Sequence, residues 1–385
     1  MLKILCVSSM PPDARCGVVT YYQKLNEHFS NDPEISMDLV TTADATWAGK
    51  KFAGFVRRVI SLFSFKNKRI LKMSVDVNYR LLILFALQKK KYKGYHIIHA
   101  QDILSGYATK LFYRKKLPLV MTCHFNDNPV EEDILLYHFK KEDKDYLSLF
   151  YKKNFKEVDE LIYHSRYSHE KSKHLLNPAS KIKVIHNGVN FTDGIFQKKP
   201  NEVFQIINVG YIEPRKNQTV LVSLAKELRE SGFKFGITLV GDGPDVPLLK
   251  KLIKESDLED CFLFTGWVDN VDKYLKNADL YIHTSVNDIC PYSILEAISR
   301  NVPAIAFSVG GIPEMLDAEY LFTLDDFKGM KAFILQNHSH LHNICKLQTD
   351  KISESFSIRN QLDRTRDLYL SMVGKHEPVG QNQSF

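Results

Sequence analysis

The feature that most constrains this chain is an alternation that occurs twice. Short, nearly continuous apolar runs rich in β-branched residues are separated by longer segments of helical period. In the first half the runs are 3–8, 37–41, 96–100, 119–122, 160–164 and 183–186, with helical segments such as 18–29, 80–91 and 166–176 between them. In the second half the runs are 205–209, 236–240, 262–265, 280–284, 304–307 and 320–323. Strands that are apolar throughout and joined by helices belong to parallel sheets covered on both faces. Two such sets predict an α/β chain of two Rossmann-like, doubly wound domains.

The length of 385 residues suits two cores, since a single core rarely grows beyond about 250–300 residues. The polar stretch 190–201 contains Asp193-Gly194 and ends in Lys198-Lys199-Pro200-Asn201, which reads as a linker. This gives an N-terminal domain over 1–192 and a C-terminal domain over 201–352. A helix at about 356–373 is expected to pack back onto the first domain. Residues 375–385 carry Pro, Gly, Gln and Ser without periodicity and read as a disordered tail.

Hydrophobic residues make up 44% of the chain and no low-complexity block interrupts it, which excludes disorder for its bulk. The net charge of +7 and pI near 8.8 suit an anionic membrane, ligand or nucleic acid. No finger spacing of Cys and His and no RNA-binding sheet motif accompanies that charge, so no nucleic-acid partner is expected. The six cysteines are scattered without a Cys-x-x-Cys pair, which fits a reducing cytosol and no structural metal. The first residues, 1–9, are too short an apolar run for a signal peptide and lack a small-residue cleavage site. The longest nearly pure apolar run, 81–87, falls far short of the ~20 residues that span a bilayer. The expected location is cytoplasmic.

Open parallel sheets bind ligands at the carboxyl ends of their strands, and chemistry-bearing segments of the second half fall there. Gly210 turns the chain after the strand ending at Val209, and Arg215-Lys216 precede a helix, where backbone N–H groups favour anions and two cations can clamp a diphosphate. Gly241-Asp242-Gly243 leaves the next strand, its glycines permitting positive φ and close ligand approach. Pro291 suits a first helical turn, so the amides near Tyr292 and Ser293 would face a phosphate or sugar, with Glu296 placed about one turn on for ribose hydroxyls. Gly310-Gly311 follows the strand 304–307 and leaves room beside the backbone. Taken singly, each is equally an ordinary turn, cap or surface charge.

In order and spacing the segments resemble glycosyltransferase family 4, the retaining group 1 glycosyltransferases of GT-B fold. The resemblance rests on Gly210/Arg215/Lys216, Gly241-Asp242-Gly243, Asp288 separated by seven positions from Glu296, and Gly310-Gly311-Ile312-Pro313-Glu314. Val184-Ile185-His186-Asn187-Gly188-Val189-Asn190 looks like the family's junction between domains. It implies two Rossmann-like domains facing an interdomain cleft, with Arg215 and Lys216 on the donor diphosphate, Glu296 on the ribose, Asp288 on the sugar hydroxyls, and Trp267-Val268 lining the base pocket. It also implies a nucleotide-sugar as substrate, with no separate cofactor. The chain departs from the family at Tyr211, where Arg is usual, at Asp288, where Glu is usual, and at His186 and Asn190 in the junction. Arg215 is inferred to supply the charge missing at Tyr211.

In the first half, Gly17 ends the loop 10–16 and opens a helix, where family members have a glycine-rich loop over the cleft. His124 follows the strand 119–122 and matches the family's cleft histidine, placed near the donor sugar to stabilise its developing charge through carbonyl or ring. His99 and Asp102 end a neighbouring strand and are candidates for acceptor binding. Residues 50–72 interleave Lys50, Lys51, Arg57, Arg58, Lys68 and Arg69 with aromatic and aliphatic residues. Such a segment suits an anionic membrane surface, which would make the protein peripheral on the inner face of the cytoplasmic membrane and its acceptor a polyprenyl-linked glycan. It equally suits a core-facing helix with solvated cations. No Asp-x-Asp motif sits at a suitable turn, so no metal is expected. The function so implied is retaining transfer of a sugar from a nucleoside-diphosphate sugar to an acceptor hydroxyl in surface polysaccharide synthesis. A non-catalytic nucleotide-sugar-binding protein, or another enzyme on the fold such as a phosphorylase, stays open.

Overall fold

A computed structural model describes residues 1–64, 67–90, 93–191 and 202–373. Most of the expected linker and the expected tail, 375–385, lie outside the described residues. The chain forms two compact units, one of Met1–Ile185 with the chain from Leu362 onward, the other of His186–Gln361. The 186–190 stretch therefore folds with the second unit.

The first unit contains β1 (Leu2–Ser8), α1 (Gly17–Phe29), β2 (Ile35–Thr41), α2 (Trp47–Leu62), α3 (Lys68–Leu87), β3 (Ile97–Ala100), α4 (Ile103–Phe112), β4 (Leu119–Cys123), α5 (Pro129–Tyr137), α6 (Lys144–Phe155), β5 (Glu160–Tyr163), α7 (Arg166–Ser172) and β6 (Lys181–Val184). Its six strands run in the order β2-β1-β3-β4-β5-β6, each pair parallel. The central strands β3, β4 and β5 are buried at every position, as strands covered on both faces must be.

The second unit follows with β7 (Phe204–Val209), α8 (Thr219–Glu230), β8 (Phe235–Val240), α9 (Val246–Lys254), β9 (Phe262–Gly266), α10 (Asp272–Leu275), β10 (Leu280–His283), α11 (Tyr292–Ser299), β11 (Ala304–Phe307), β12 (Leu321–Phe322), α12 (Phe327–Asn337), α13 (Leu341–Ile352) and α14 (Ile358–Val373). The sheet order is β12-β11-β10-β7-β8-β9, again parallel. The order reverses beside β7, so the carboxyl ends of β7 and β10 flank the switch point where open sheets bind ligands. From Leu362 on, α14 belongs to the first unit, where Tyr369 is buried against Phe29 and His99.

The helical segment expected at 80–91 is only the end of α3, which begins at Lys68 under an Asn67 side-chain cap. Lys72 and Asp76 lie on the buried face of this helix, paired at 2.9 Å, with Asp133 at 3.3 Å from the same ammonium. Charged residues on an inward face hide the apolar period by which a helix is recognised.

Candidate functional site

The carboxyl edge of the second sheet gathers the candidate donor residues. After β7, Gly210 pairs its N–H with the Val240 carbonyl, and Ile212 pairs with Asp242, so the turns following β7 and β8 run side by side. A Cβ on Gly241 would lie 1.9 Å from the Gly210 oxygen, and one on Gly243 would lie 2.1 Å from the Ile212 oxygen. Gly241 also has φ +142°. These glycines let two backbones approach closely, and Gly241 takes the positive φ expected of it. Gly210 differs, since a Cβ there meets nothing within 4 Å. The Gly241 N–H reaches the Gly266 carbonyl at 3.0 Å, which brings exposed Trp267 and half-buried Val268 off β9 beside the same edge.

Arg215 and Lys216 occupy a short 3-10 turn, Pro214–Lys216, ended by Asn217 in the left-handed conformation (φ 51°), and α8 starts only at Thr219. They precede α8, separated from it by Asn217 and Gln218. Both cations reach the loop after β10. Arg215 pairs with Glu213 at 2.8 Å and extends to the Asn287 carbonyl at 3.4 Å. The Lys216 ammonium sits 2.6 Å from Asp288 Oδ2. The backbones are tied as well: Val286 N–H donates to the Arg215 carbonyl and Thr284 Oγ1 donates to the Lys216 carbonyl.

Asp288 is only 7% exposed. Its Oδ2 lies 3.3 Å from His283 Nε2, and its carbonyl accepts the Gly311 N–H at 2.9 Å. A Cβ on Gly310 (φ +57°) would come within 1.9 Å of that carbonyl, so the room at Gly310 is taken by the Asp288 backbone. Burial alone would raise the Asp288 carboxyl, but the Lys216 charge and His283 outweigh it and hold the group far below the usual carboxylate range. In this arrangement the carboxylate expected to touch a sugar is the counter-ion of the lysine expected to touch a phosphate.

Pro291 is the N-cap of α11, one position ahead of the first-turn place expected for it, and no side-chain cap covers the helix start. The amides of Tyr292 and Ser293 open the helix, and Ser293 Oγ accepts from the Tyr281 hydroxyl at 2.8 Å. Half-buried Glu296 lies one turn further along, close enough for its charge to act on Tyr281. Asn187 of the junction donates to the Cys290 carbonyl at 2.8 Å and so fixes the loop that leads into α11. Asn187, Tyr281 and His283 were missed in the sequence. The available signal was the pair of polar rings within the otherwise aliphatic Leu280-Tyr281-Ile282-His283 strand.

Gly17 and His124 lie in the first unit. Gly17 is the exposed first residue of α1. Both His124 ring nitrogens are engaged, Nε2 with Gln101 at 2.9 Å and Nδ1 with His164 Nε2 at 3.3 Å, while His164 Nδ1 faces the Ile185 carbonyl at 3.0 Å. The partner of Nε2 is the Gln101 side-chain oxygen, and oxygens of this kind only accept, so His124 donates from Nε2 and His164 donates from Nδ1 to the Ile185 carbonyl. Burial, with His164 and His99 nearby, lowers His124 well below the ordinary histidine value. His99 is fully buried between the Tyr369 hydroxyl and Thr122 Oγ1. Asp102 caps α4 and accepts from Ser9 N–H. Both have structural employment, which corrects their reading as acceptor ligands.

Two family descriptions match this chain: Glycosyltransferase Family 4 over residues 17–193 and Glycosyl transferases group 1 over residues 192–327. The chain belongs to the family 4, group 1 glycosyltransferases. Among the curated relatives of this family 4 chain, N-acetyl-alpha-D-glucosaminyl L-malate synthase of Bacillus anthracis is 28% identical over 215 residues, covering 52% of this chain and 56% of that protein. The UDP-Gal:alpha-D-GlcNAc-diphosphoundecaprenol alpha-1,3-galactosyltransferase of Escherichia coli is 27% identical over 213 residues, covering 50% and 55%. The chain thus spans about half the length of the curated relatives it matches. Sucrose-phosphate synthase from Thermosynechococcus elongatus superposes with a TM-score of 0.77 at 16% identity, over 97% of this chain and all of that one. At that identity the likeness carries the fold, which is GT-B.

Proposed function

We propose that the chain is a retaining glycosyltransferase that moves a sugar from a nucleoside-diphosphate sugar to an acceptor hydroxyl on a lipid-linked or growing glycan. The observation that carries this reading is the meeting of Arg215, Lys216, the uncapped start of α11 and Glu296 at one edge of the second sheet. The diphosphate takes the two cations and the α11 amides, and Glu296 takes the ribose hydroxyls. As the bond from sugar carbon to phosphate oxygen breaks, these groups stabilise the charge that collects on the leaving group. The acceptor oxygen forms its new bond on the same face, and its proton passes to the departing phosphate. With its ring engaged by Gln101 and His164, His124 offers its carbonyl to the sugar's developing positive charge. Cations already supply the field that a metal would, so turnover should survive EDTA.

The acceptor side of the reading is supported by α2. Phe52, Phe55, Val59 and Leu62 recur at helical spacing and are all exposed, while Gly49 and Ala53 turn inward, with Gly49 against Phe85 of α3. Lys51 and Arg58 border the stripe and Lys50 and Arg57 lie beyond it, all exposed. An apolar stripe edged with cations fits an anionic lipid surface, and the named substrate of the Escherichia coli relative is itself carried on diphosphoundecaprenol. Among the described residues no helix is long and apolar enough to cross a membrane.

The test is turnover of UDP-, GDP- and ADP-sugars with a bacterial lipid extract, comparing the parent chain with Lys216→Ala and Glu296→Ala. Transfer that both variants reduce by 10²-fold or so, as loss of a transition-state donor does, supports the reading. Unchanged transfer in both sinks it.

A further inference from the structure

His283 has no part in the scheme above, yet it is buried against the proposed phosphate site. Its Nδ1 faces the Tyr281 hydroxyl at 3.0 Å. That hydroxyl also lies 2.8 Å from Ser293 Oγ and 3.4 Å from the Val209 carbonyl. His283 Nε2 is a buried nitrogen 3.3 Å from Asp288 Oδ2, without a well-formed hydrogen bond at that separation. Buried polar atoms are seldom left so.

The arrangement is explained by a change of partner. Lys216 now satisfies Asp288 at 2.6 Å. A diphosphate that draws the ammonium away leaves a carboxylate that is 7% exposed without a counter-ion, a costly state for a buried charge. The imidazole of His283 beside it can take a proton and become that counter-ion.

We propose that binding of a nucleoside diphosphate at Lys216 is coupled to uptake of one proton by His283, which replaces Lys216 as the partner of Asp288. This rests on the reading of Lys216 as a phosphate ligand. The proton comes from solvent, goes to the imidazole nitrogen of His283 that lacks one, and turns an ion pair plus a neutral ring into two ion pairs. The charged and titratable groups facing the ring are Asp288 from the loop after β10, Lys216 and Arg215 from the turn after β7, and Tyr281 on β10, on which Glu296 of α11 acts in turn. In the free protein burial keeps the ring below its ordinary value, with Lys216 and Arg215 adding to that and Asp288 opposing. Withdrawal of Lys216 removes a repelling charge and leaves Asp288 to the ring alone, so the ring titrates higher in the complex. Affinity is then highest at low pH and falls as pH rises through the window between the two values, by up to about tenfold per pH unit for one proton.

The experiment is calorimetric titration of the full chain with UDP, GDP and ADP at about pH 7.5, in HEPES and in Tris, whose heats of protonation differ. The terminal phosphate of such nucleotides, with a second pKa of about 6, is already ionised there. The expected result is a buffer-dependent heat that reports net proton uptake on nucleotide binding, lost in His283→Gln while nucleotide still binds. Equal heats in both buffers for a nucleotide that binds the parent chain overturn the coupling and leave the donor site standing, and this comparison needs no variant to fold. Uptake that persists in His283→Gln also overturns it. Failure of all three nucleotides to bind overturns the donor reading itself.

Discussion

At the Gly210 oxygen, a Cβ on Gly241 would arrive at 1.9 Å, and the same distance separates a Cβ on Gly310 from the Asp288 oxygen. Both positions also have positive φ. Gly241→Ala and Gly310→Ala should each destabilise the second unit by about 1–3 kcal/mol, the range for forced overpacking, read as an earlier urea midpoint. Gly210→Ala meets no atom within 4 Å and should leave that midpoint in place while weakening nucleotide binding. Equal midpoints for all three would remove the distinction. Lys216→Ala leaves the Asp288 carboxylate to His283 alone, so it should cost less than the about 3–5 kcal/mol of breaking one side of a buried pair, and less at low pH, where His283 takes the proton. Adding Asp288→Asn to it should restore most of the stability without restoring transfer, which separates folding from chemistry. The spacing of these residues was legible in the sequence, but their partners were not. A glycine pattern states that room is needed, and only the fold tells whether a ligand or another backbone fills it. Asp288 likewise shows its charge in the sequence and its commitment to Lys216 only when β7 and β10 lie side by side.

Among the elements, the strands were legible because parallel strands buried on both faces are uninterrupted apolar runs, as in Ala304–Phe307. Helices were read well where one face alone is apolar, as in α8. They were read poorly where a buried ion pair stands on the inward face, as with Lys72 and Asp76 in α3. The cause is that helical period reports polarity, whereas burial also admits charges that neutralise each other. Helix α2 shows the converse, for its most apolar stripe is the exposed one. Leu62 is 77% exposed and Phe55 64%. The chain should therefore sediment with vesicles containing anionic phospholipid and less with neutral ones. Phe55→Ser with Leu62→Ser should lower the bound fraction several-fold, each losing about 1.5–3 kcal/mol of available burial. Because neither side chain is in the core, the variant's thermal midpoint should stay near the parent's. Undiminished binding by the double variant would exclude this face as the lipid contact.

Across the whole molecule, both units bury neutral imidazoles. His99, pushed down to about 3 by burial and its proximity to His164, and His124, also well below its ordinary value, lie in the first unit, and His283 lies in the second. In the unfolded chain each returns to about 6.5. Below that pH the unfolded state binds protons that the native state refuses, so the linkage has one sign throughout. The stability these residues confer is complete above about pH 6.5 and is lost as pH falls towards their native values. Each contributes a slope of up to about 1.4 kcal/mol per pH unit, which makes the first unit, with two, the steeper. Asp288 adds its own loss only at lower pH, below the ordinary carboxylate value of about 4. Urea unfolding at pH 7.5, 6.5 and 5.5 should show little change over the first step and a marked fall over the second. Because the chain has two units, fluorescence and circular dichroism should be compared before one free energy is assigned. His124→Gln keeps a polar side chain between Gln101 and His164 but cannot titrate, so it should be less stable at pH 7.5 yet flatter between 6.5 and 5.5. A midpoint that does not move between those two values in the parent chain would mean that His99 and His124 are already protonated in the native state, against the lowering that burial imposes on them.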